Sequence, residues 1–445
     1  MKTNYFVIAA LAATTLFASC DKNNDGIDVI DEGKTTSMKV SINFPRAETR
    51  ATSDLNATQN EAEVKTVDVF IYYTNSGAFG THKHLAAGDF TEAGSNGTAD
   101  IYTVNSKIQT TTGAKSVFAG INLPQTVVDA LKNKPMSELI STAQTMSRTE
   151  MAGSTTGFVM FSTEAVNAVF VESETDPANS ITLRCQRLVA KVTVETSETL
   201  DVAGVPGTLG NLQFAISNFN TKLFLLQGEA PLHKDPNWSK DVYDANPAAA
   251  AADFNNDLVY ANIWNCKDNG APAISDYSPL YAAENTSEAK RKKEITRATV
   301  RATFIPRDIT EGTTGNFTVN DGHGITSPQT FYAVTPSVEA GTSYFFSSTI
   351  AGAFATEKGG TVVTYTGGYC YWDIFLNKNA PNALNRWDVL RNDFYKCNIT
   401  RIVAPGRNTP DVPDPEVTPD VETNITADIQ ILFWHTPIES NYILE

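Results

Sequence analysis

The sequence predicts an all-β protein of two β-sandwich domains, with a few short helices in the first domain. Short segments rich in β-branched and aromatic residues recur along the chain, separated by Gly, Asn, Asp, Ser and Thr. Helical periodicity is scarce, and many strands with few helices are typical of sandwiches or barrels. At 445 residues the chain is also long for a single core. Clear examples of these segments are "VKTVDVFIYY" (64–73), "KSVFAGINLP" (115–124), "ITLRCQRLVAKVTVE" (181–195) and "TRATVRATFIP" (296–306).

The first 20 residues predict an export signal. The segment "MKTNYFVIAALAATTLFASC" has one early lysine, an apolar run from Tyr5 to Ala18, and small residues before Cys20. This layout is too short for a membrane-spanning helix and is typical of a secretory signal. Because a cysteine follows the small residues directly, the segment resembles a bacterial lipoprotein signal, in which Cys20 is cleaved to and lipidated. The alternative is an ordinary secretory signal in which the cysteine occurs by chance.

Residues 21–50 are predicted to be a propeptide that contains one strand. In "SMKVSINFP" the apolar side chains fall at every second position, so they line one face of an extended strand over residues 38–44. Pro45 then ends the pattern. The residues on this apolar face are Met38, Val40, Ile42 and Phe44.

The segment after this strand is predicted to be a loop that proteases cut. It reads "RAETRATSDLNATQNEAE", and loops of small, polar, turn-forming residues are preferred sites of proteolysis. A trypsin-like enzyme is expected to cut the bond between Arg50 and Ala51, with Arg46 as the alternative site. Either cut separates strand 38–44 covalently from the domain that follows.

The two domains are placed at residues 51–180 and 181–404. The composition changes near "ETDPANS" (174–180), which is taken as the boundary between them. Two helices are predicted in the first domain, and their apolar residues are expected to face its core. They lie in "LPQTVVDALKN" (123–133) and "PMSELISTAQTM" (135–146).

The C-terminal region predicts a tether followed by a strand. Residues 405–426 contain five prolines and several acidic residues, a composition typical of an extended, semi-rigid spacer. Residues 427–445 follow and begin with "ADIQILF", in which apolar side chains again occupy every second position. These side chains are Ala427, Ile429, Ile431 and Phe433.

The strand at 38–44 and the strand that begins at 427 are predicted to be interchangeable. Each presents four apolar side chains at period two and ends with phenylalanine, so each fits the same groove. If cleavage releases the first strand, the C-terminal strand of another copy is expected to fill the groove by strand addition. A head-to-tail contact that does not close on itself yields a filament. The alternative is that both segments are ordinary edge strands of the chain's own sheets.

Charge and motif content exclude several other functions. The net charge of −16 and the pI near 4.8 argue against binding to nucleic acid and against binding to anionic membranes by charge. The sequence contains no nucleophile elbow, zinc-protease motif or phosphate-binding glycine loop. The sequence therefore predicts neither an enzyme nor a cofactor site.

The histidines and cysteines give weak signals. His82 and His84 provide two metal ligands without a third, so a solvated loop is the preferred interpretation, and His435 is taken as a packing residue. Four cysteines beyond Cys20 allow three disulfide pairings, and buried free thiols are slightly favoured over any of them. These four are Cys185, Cys266, Cys370 and Cys397.

With these features the chain resembles the fimbrillins, the Bacteroidales-type (type V) pilins, and in particular the shaft subunits of minor fimbriae. The resemblance covers nearly the whole chain and rests on the order of several segments. These are the signal ending at Cys20, "SMKVSINFPRAETRA" (37–51), "CQRLVAKVTV" (185–194), "VLRNDFYKCNITRIVAPG" (389–406), the tether, and the terminal strand with Trp434.

The resemblance implies a lipoprotein precursor of two transthyretin-like β-sandwich domains. Such a precursor is anchored in the outer membrane through Cys20, cut after Arg50 by an arginine-specific trypsin-like protease, and polymerised head-to-tail with copies of itself. The resulting cell-surface fimbria supports adhesion and includes anchor and tip subunits. Three alternatives stay open: a tip adhesin, a membrane-proximal anchor subunit, or a surface lipoprotein that binds glycans.

Overall fold

The computed structural model describes residues 33–45, 59–95, 99–239, 244–272, 276–380, 383–419 and 425–434. Strands dominate these ranges and the helices are short, so the predicted all-β class is confirmed. The strands of the first half are β1 (Thr35–Pro45), β2 (Thr66–Tyr73), β3 (Phe79–Ala86), β4 (Phe90–Ser95), β5 (Ala99–Val104), β6 (Ile108–Thr111), β7 (Gly113–Ile121), β8 (Gln144–Thr145), β9 (Ala152–Gly153), β10 (Gly157–Phe158), β11 (Met160–Ser162), β12 (Val166–Phe170) and β13 (Ser180–Arg187).

The second half continues the same pattern of short strands. Its strands are β14 (Val189–Asp201), β15 (Gly207–Ser217), β16 (Phe219–Asn220), β17 (Lys222–Leu223), β18 (Phe254–Asn255), β19 (Ala261–Asn262), β20 (Trp264–Asn265), β21 (Leu280–Ala283), β22 (Arg297–Pro306), β23 (Ile309–Thr313), β24 (Asn316–Asn320), β25 (Phe331–Val334), β26 (Ser343–Phe345), β27 (Val362–Tyr365), β28 (Tyr369–Phe375), β29 (Asp393–Ile402) and β30 (Ile425–Phe433). The α-helices are α1 (Gln125–Leu131), α2 (Met136–Ser141), α3 (Arg148–Met151), α4 (Pro247–Ala252), α5 (Cys266–Asn269) and α6 (Ser348–Lys358). Single 3-10 turns lie at Gln59–Ala62, Ala87–Asp89, Pro177–Asn179, Thr366–Gly368 and Ala383–Asn385.

The first half of the chain is organised by one extended sheet. Its strand order is β3-β2-β7-β11-β13-β1-β5-β4, with β12 beside β7 and β6 beside β1. Strands β2 and β7 are buried on both faces, with only the ends of β2 and one residue of β7 partly exposed. A strand that is covered on both faces reads as a continuous apolar run rather than an alternating one, which is the texture of "VFIYY".

The second half is built on two sheets. One has the order β20-β14-β29-β30, with β21 beside β14, and the other has the order β19-β15-β22-β28. A smaller sheet, β26-β25-β27, packs against α6 around a separate core of Val334, Phe345, Ala351 and Phe354. Helix α6 has no clear sequence signal, because its segment is rich in alanine and shows no clear apolar stripe. The Ser347 hydroxyl caps its first turn by accepting from the Ile350 N–H.

Helix α2 is shorter than its sequence pattern predicts. The apolar period runs to Met146, whereas the helix ends at Ser141 and Gln144–Thr145 form β8. Leu139 is buried, but Ile140 is 42% exposed. The pairing of β8 with β17 in the second half competes with helix and ends it.

Sheet membership changes across Leu188. Strand β13, which ends at Arg187, pairs with β1 and β11, whereas β14, which begins at Val189, pairs with β20, β21 and β29. From sequence, residues 181–195 read as one strand, because both parts are rich in β-branched residues. The division of the chain into domains at 180/181 stays a prediction, and one apolar core runs through both halves.

Replacing Ile42 tests how firmly β1 is held before any cleavage. Ile42→Ala is expected to lower the free energy of unfolding of the uncut precursor by about 2–5 kcal/mol, because the Ile42 side chain is buried in the core. Urea unfolding measures the change. Lys39→Ala, on the exposed face of the same strand, is the control and is expected to change stability by less than about 0.5 kcal/mol. Equal losses in both variants would contradict the one-sided burial of β1.

Candidate functional site

The N-terminal strand β1 lies inside its sheet. It lies between β13, with which it pairs in parallel, and β5, with which it pairs antiparallel, and its first residues pair antiparallel with β6. Of the residues predicted for its apolar face, Met38, Val40 and Ile42 are at most 1% exposed. Phe44 belongs to the strand, but its side chain lies outside the described residues. Without β1, the edges of β13, β5 and β6 would be open along an apolar groove.

Polar contacts fix the start of β1. The Thr36 hydroxyl donates to the Val171 carbonyl over 2.8 Å and accepts from Asn179 Nδ2 over 3.1 Å. Asn179 Nδ2 also donates to the Ser37 carbonyl. Thr36, Ser37 and Asn179 are all buried, so these bonds satisfy polar groups that water does not reach.

The predicted lipidation and cleavage sites lie outside the described residues. Cys20 is one of them, and so are Arg46, Arg50 and Ala51 between β1 and the turn at Gln59–Ala62. Their roles stay predictions from the sequence.

The C-terminal strand β30 belongs to a sheet of its own chain. It pairs antiparallel with β29 from Ile425, opposite Ile402, to Phe433, opposite Asp393. Of the four residues predicted to be inserted into another copy, Ala427 is buried and Ile429 packs against the same core, whereas Ile431 is 40% exposed. The side chain of Phe433 is not among the described residues. The structure therefore places these residues beside β29, in a different sheet from β1.

Directly after β30, Trp434 fills a cage between the two halves of the chain. The indole is fully buried. Tyr281 stacks on it with ring centroids 5.8 Å apart and planes 15° apart, and Phe158 meets it edge-on at 5.9 Å. The Arg187 guanidinium lies 4.2 Å from the ring centroid and the Lys191 ammonium 5.7 Å from it, both within cation–π range.

Backbone bonds hold the same residue in place. The Trp434 N–H donates to the Asn392 carbonyl over 3.1 Å, and Arg187 Nη1 donates to the Trp434 carbonyl over 3.3 Å. The indole N–H has no hydrogen-bond partner among the described residues. The ring is therefore held by stacking, cation–π attraction and its backbone.

Glu61 is bonded to three of the residues that surround Trp434. Its carbonyl accepts from Arg187 Nε over 2.9 Å, and its carboxylate pairs with Lys191 over 3.1 Å and accepts from the Tyr281 hydroxyl. Glu61, Arg187 and Lys191 are all at most 3% exposed. Glu61 also lies in the first turn described after the predicted cleavage loop. The cage thus joins the end of that loop, the link between β13 and β14, and the C-terminal strand.

Burial shifts the titration of the cage residues in opposite directions. It lowers the pKa of the Arg187 guanidinium to about 10, against the attraction of Glu61. It also raises the pKa of the Tyr281 phenol, and the neighbouring Glu61 carboxylate adds to that rise. At neutral pH Arg187 is therefore a cation and Tyr281 is a neutral donor. This is the arrangement that cation–π stacking and the bond to Glu61 require.

The described part of the predicted tether lies against the second half of its own chain. Arg407 exchanges two backbone bonds with Tyr371, and its guanidinium pairs with Asp373 over 2.8 Å. Further along, Glu416 pairs with Lys293 over 2.6 Å. Backbone N–H groups of Lys292 and Lys293 donate to the carbonyls of Val417 and Pro415. The basic run at 290–293 therefore holds the acidic tether.

Most of the cage cannot be identified from the sequence. Trp434 is visible only as part of the terminal segment, and no sequence pattern marks Glu61, Phe158, Lys191 and Tyr281. A lone tryptophan immediately after a strand pattern was the available signal, because a large aromatic residue rarely stays exposed. Nothing local marks the other four, since their function comes from where the fold brings them.

The described histidines and cysteines form hydrogen bonds or lie buried in the fold. The interpretation of His82 and His84 as part of a solvated loop is wrong, because both lie on β3. Each hydrogen-bonds to one oxygen of the buried Asp68 on the neighbouring strand β2, at 2.8 and 2.9 Å. No group of three or more His, Cys, Asp and Glu side chains placed to hold a metal is found in the described part of the chain. His435 lies outside that part. The thiols of Cys185, Cys266, Cys370 and Cys397 are buried and free.

Within the described ranges, no helix has the length and apolarity needed to cross a membrane.

Two family models match the chain. Residues 35–202 match the major fimbrial subunit protein (FimA), and residues 363–439 match the C-terminal region of the major fimbrial subunit protein type IV, fimbrillin. The first match begins with β1, and the second includes β29, β30 and Trp434. The chain therefore belongs to the fimbrillins, a class of fimbrial subunits. No curated protein sequence matches it.

Solved structures share the fold at low sequence identity. A candidate cell adhesion protein from Parabacteroides distasonis aligns over 92% of this chain and 99% of its own, with 15% identity and a TM-score of 0.50. The tip fimbrial protein Mfa3 from Porphyromonas gingivalis, truncated at its C-terminus, aligns over 89% of this chain and 100% of its own, with 14% identity and a TM-score of 0.42. At such identities the first likeness establishes the fold alone.

Replacing Trp434 tests the energetic weight of the cage. Trp434→Ala is expected to lower the free energy of unfolding of the uncut precursor by about 3–5 kcal/mol, because it leaves a cavity and removes the aromatic face from Arg187. Urea unfolding measures the loss. Trp264→Ala is the control, since that ring is partly exposed and its indole N–H donates to a backbone carbonyl. A loss in the control as large as that in Trp434→Ala would contradict a special role for the cage.

Proposed function

We propose that this chain is a structural subunit of the shaft of a cell-surface fimbria and that it has no enzymatic role. It is exported as a lipoprotein through Cys20, reaches the outer membrane, and is cut after Arg50 by an arginine-specific, trypsin-like protease. It then polymerises head-to-tail by strand exchange and assembles with anchor and tip subunits. Membership of the fimbrillins supports the fimbrial role, and the sequence around residues 20 and 50 supports the maturation steps.

The observation that carries the proposal is the position of β1. This strand is buried between β13 and β5, yet the only covalent connection from it to the rest of the fold runs through the segment with Arg46 and Arg50. Its apolar side chains Met38, Val40 and Ile42 each contribute about 1.5–3 kcal/mol by burial, and each ladder bond about 0.5–1.5 kcal/mol. A subunit that has lost β1 therefore gains strongly from another strand in the same place.

The filler is proposed to come from residues 427–445 of the next subunit. The sequence-based choice of Ala427, Ile429, Ile431 and Phe433 as the inserted residues stays a prediction. A β-strand added to two open edges regains backbone bonds on both sides, and alternate side chains enter the groove. Because donor and groove lie on different parts of one chain, the contact is heterologous and extends into a filament.

Limited digestion tests polymerisation. Mild trypsin treatment of the purified precursor is expected to produce a chain that begins at Ala51, followed by a ladder of detergent-resistant multimers on a gel and filaments by electron microscopy. Arg50→Gln is expected to move the new N-terminus to Ala47, because Arg46 is then the remaining arginine in the loop. The double variant Arg46→Gln/Arg50→Gln is the uncut control and is expected to stay monomeric. A chain that is cut at Ala51 and yields only trimmed monomer would contradict the proposal.

Substituting Cys20 tests the lipid anchor. Cys20→Ala is expected to abolish incorporation of labelled palmitate and to remove the protein from the membrane fraction, because the thiol is the acceptor of the lipid. Cys266→Ala, which removes a buried thiol elsewhere in the chain, is the control and is expected to keep the label. Retention of the label in Cys20→Ala would exclude lipidation at this residue.

A further inference from the structure

Lys290 and Asp388 form a buried pair in the second half of the chain. Lys290 Nζ donates to Asp388 Oδ1, although 98 residues separate the two in sequence. The side chain of Asp388 is 2% exposed and that of Lys290 is 14% exposed. Two backbone hydrogen bonds of 2.9 Å between Asn285 and Val389 hold the neighbouring segments side by side. The fold therefore keeps the amine and the carboxyl in contact and largely away from water.

The two oxygens of the Asp388 carboxyl have different surroundings. Oδ1 accepts from Lys290 and from the Ser287 N–H, the latter over 3.1 Å. Oδ2 is buried and has no hydrogen-bond partner among the described residues. Because a carboxylate carries charge on both oxygens, a buried Oδ2 without a partner disfavours the ionised form. The surroundings favour a carboxylic acid in which Oδ1 is the carbonyl oxygen and Oδ2 is the hydroxyl oxygen.

Burial moves both members of the pair towards their neutral forms. It raises the pKa of Asp388 to about 6, against the attraction of Lys290. Burial also lowers the pKa of Lys290, again against the attraction of its partner. Transfer of one proton from Nζ to the carboxyl converts the ion pair into an amine beside a carboxylic acid. The neutral amine is the nucleophilic form of lysine.

Other lysine–carboxylate pairs in the described ranges differ from this one. Lys191 contacts both carboxylate oxygens of Glu61, at 3.1 and 3.2 Å, and the Tyr281 hydroxyl donates to the same group. Both oxygens of that carboxylate have partners, which stabilises the ionised form. Lys293 and Glu416 meet at the surface, where Glu416 is 62% exposed and water solvates the charges. Neither pair combines burial with a carboxyl oxygen that lacks a partner.

We propose that Lys290 and Asp388 become joined by an amide bond between their side chains inside the folded subunit. Lys290 Nζ attacks Asp388 Cγ, which is one bond beyond the oxygen that Nζ already contacts. The Ser287 N–H stabilises the negative charge that develops on Oδ1. The bond between Nζ and Cγ forms, and the bond between Cγ and Oδ2 breaks. Oδ2 leaves as water with its own hydrogen and one hydrogen of the amine, so no other reactant is needed.

The cross-link fixes the segment that leads into β29. It closes the chain between residues 290 and 388, a stretch that contains β22 to β28, and it lies shortly before β29 begins at Asp393. Strand β29 in turn pairs with β30. Tension applied to β30 therefore reaches a segment that is held by a covalent bond. A cross-link also restricts the unfolded chain, which raises resistance to unfolding.

Peptide mapping of the wild-type precursor tests the cross-link directly. The purified, folded protein is denatured and digested with trypsin, which does not cut after an acylated lysine. The expected product is a branched peptide in which residues 268–291 are joined to residues 387–391, with a mass one water below the sum of the two. Tandem mass spectrometry assigns the link to Lys290 and Asp388. Recovery of residues 268–290 and 387–391 only as separate peptides would overturn the proposal and leave an ion pair.

Two lysine variants serve as matched controls for the digest. Lys290→Arg keeps the positive charge but cannot form the amide, so residues 387–391 are expected as a free peptide. Lys293→Arg changes the lysine of the surface pair and is expected to keep the branched peptide. A branched peptide on residues 387–391 that persists in Lys290→Arg would also overturn the assignment. The wild-type digest gives its answer without polymerisation, so its result is independent of the test of the fimbrial role.

Discussion

A buried guanidinium must find partners inside the protein, and Arg187 takes them from three separate parts of the chain. Its Nε bonds to the carbonyl of Glu61, its Nη1 bonds to Trp434 and Asn392, and its face covers the indole. Because an uncompensated buried charge costs several kcal/mol, these segments are held together or released together. The segment that follows the predicted cleavage loop, the link between the two halves and the C-terminal strand thus share one physical constraint.

The two ends of the described chain differ in how their strands are paired. Strand β1 has neighbours on both sides, so its loss opens two ladder edges and an apolar groove at once. Strand β30 pairs with β29 alone among the described strands, and Lys378 donates to its Ala427 carbonyl. A charged side chain at an edge strand limits unwanted pairing. Loss of β1 would therefore open two strand edges, whereas β30 already lies at an edge that Lys378 protects.

Sequence patterns were reliable where burial is one-sided. Strand β1 was predicted correctly because Met38, Val40 and Ile42 face a core and Lys39 faces solvent, which forces alternation. The end of helix α2 and the break at Leu188 were not predicted, because strand pairing with distant segments decided both. The tether looked like a free spacer from its prolines and acids, yet Glu416 finds Lys293 more than a hundred residues away in the chain. Local composition carries no information on such partners.

The sequence by itself determined the all-β class, the alternation of β1 and the alternation of the C-terminal region, because these depend on side-chain period and composition along short stretches. Only the tertiary structure decided that β30 lies beside β29 and that Trp434 is enclosed by Phe158, Arg187 and Tyr281. The physical reason is that an alternating apolar pattern shows which side chains a strand buries, but not which neighbouring strand it pairs with. The residues that enclose Trp434 lie between positions 61 and 281 of the chain. No local sequence pattern indicates that they come together.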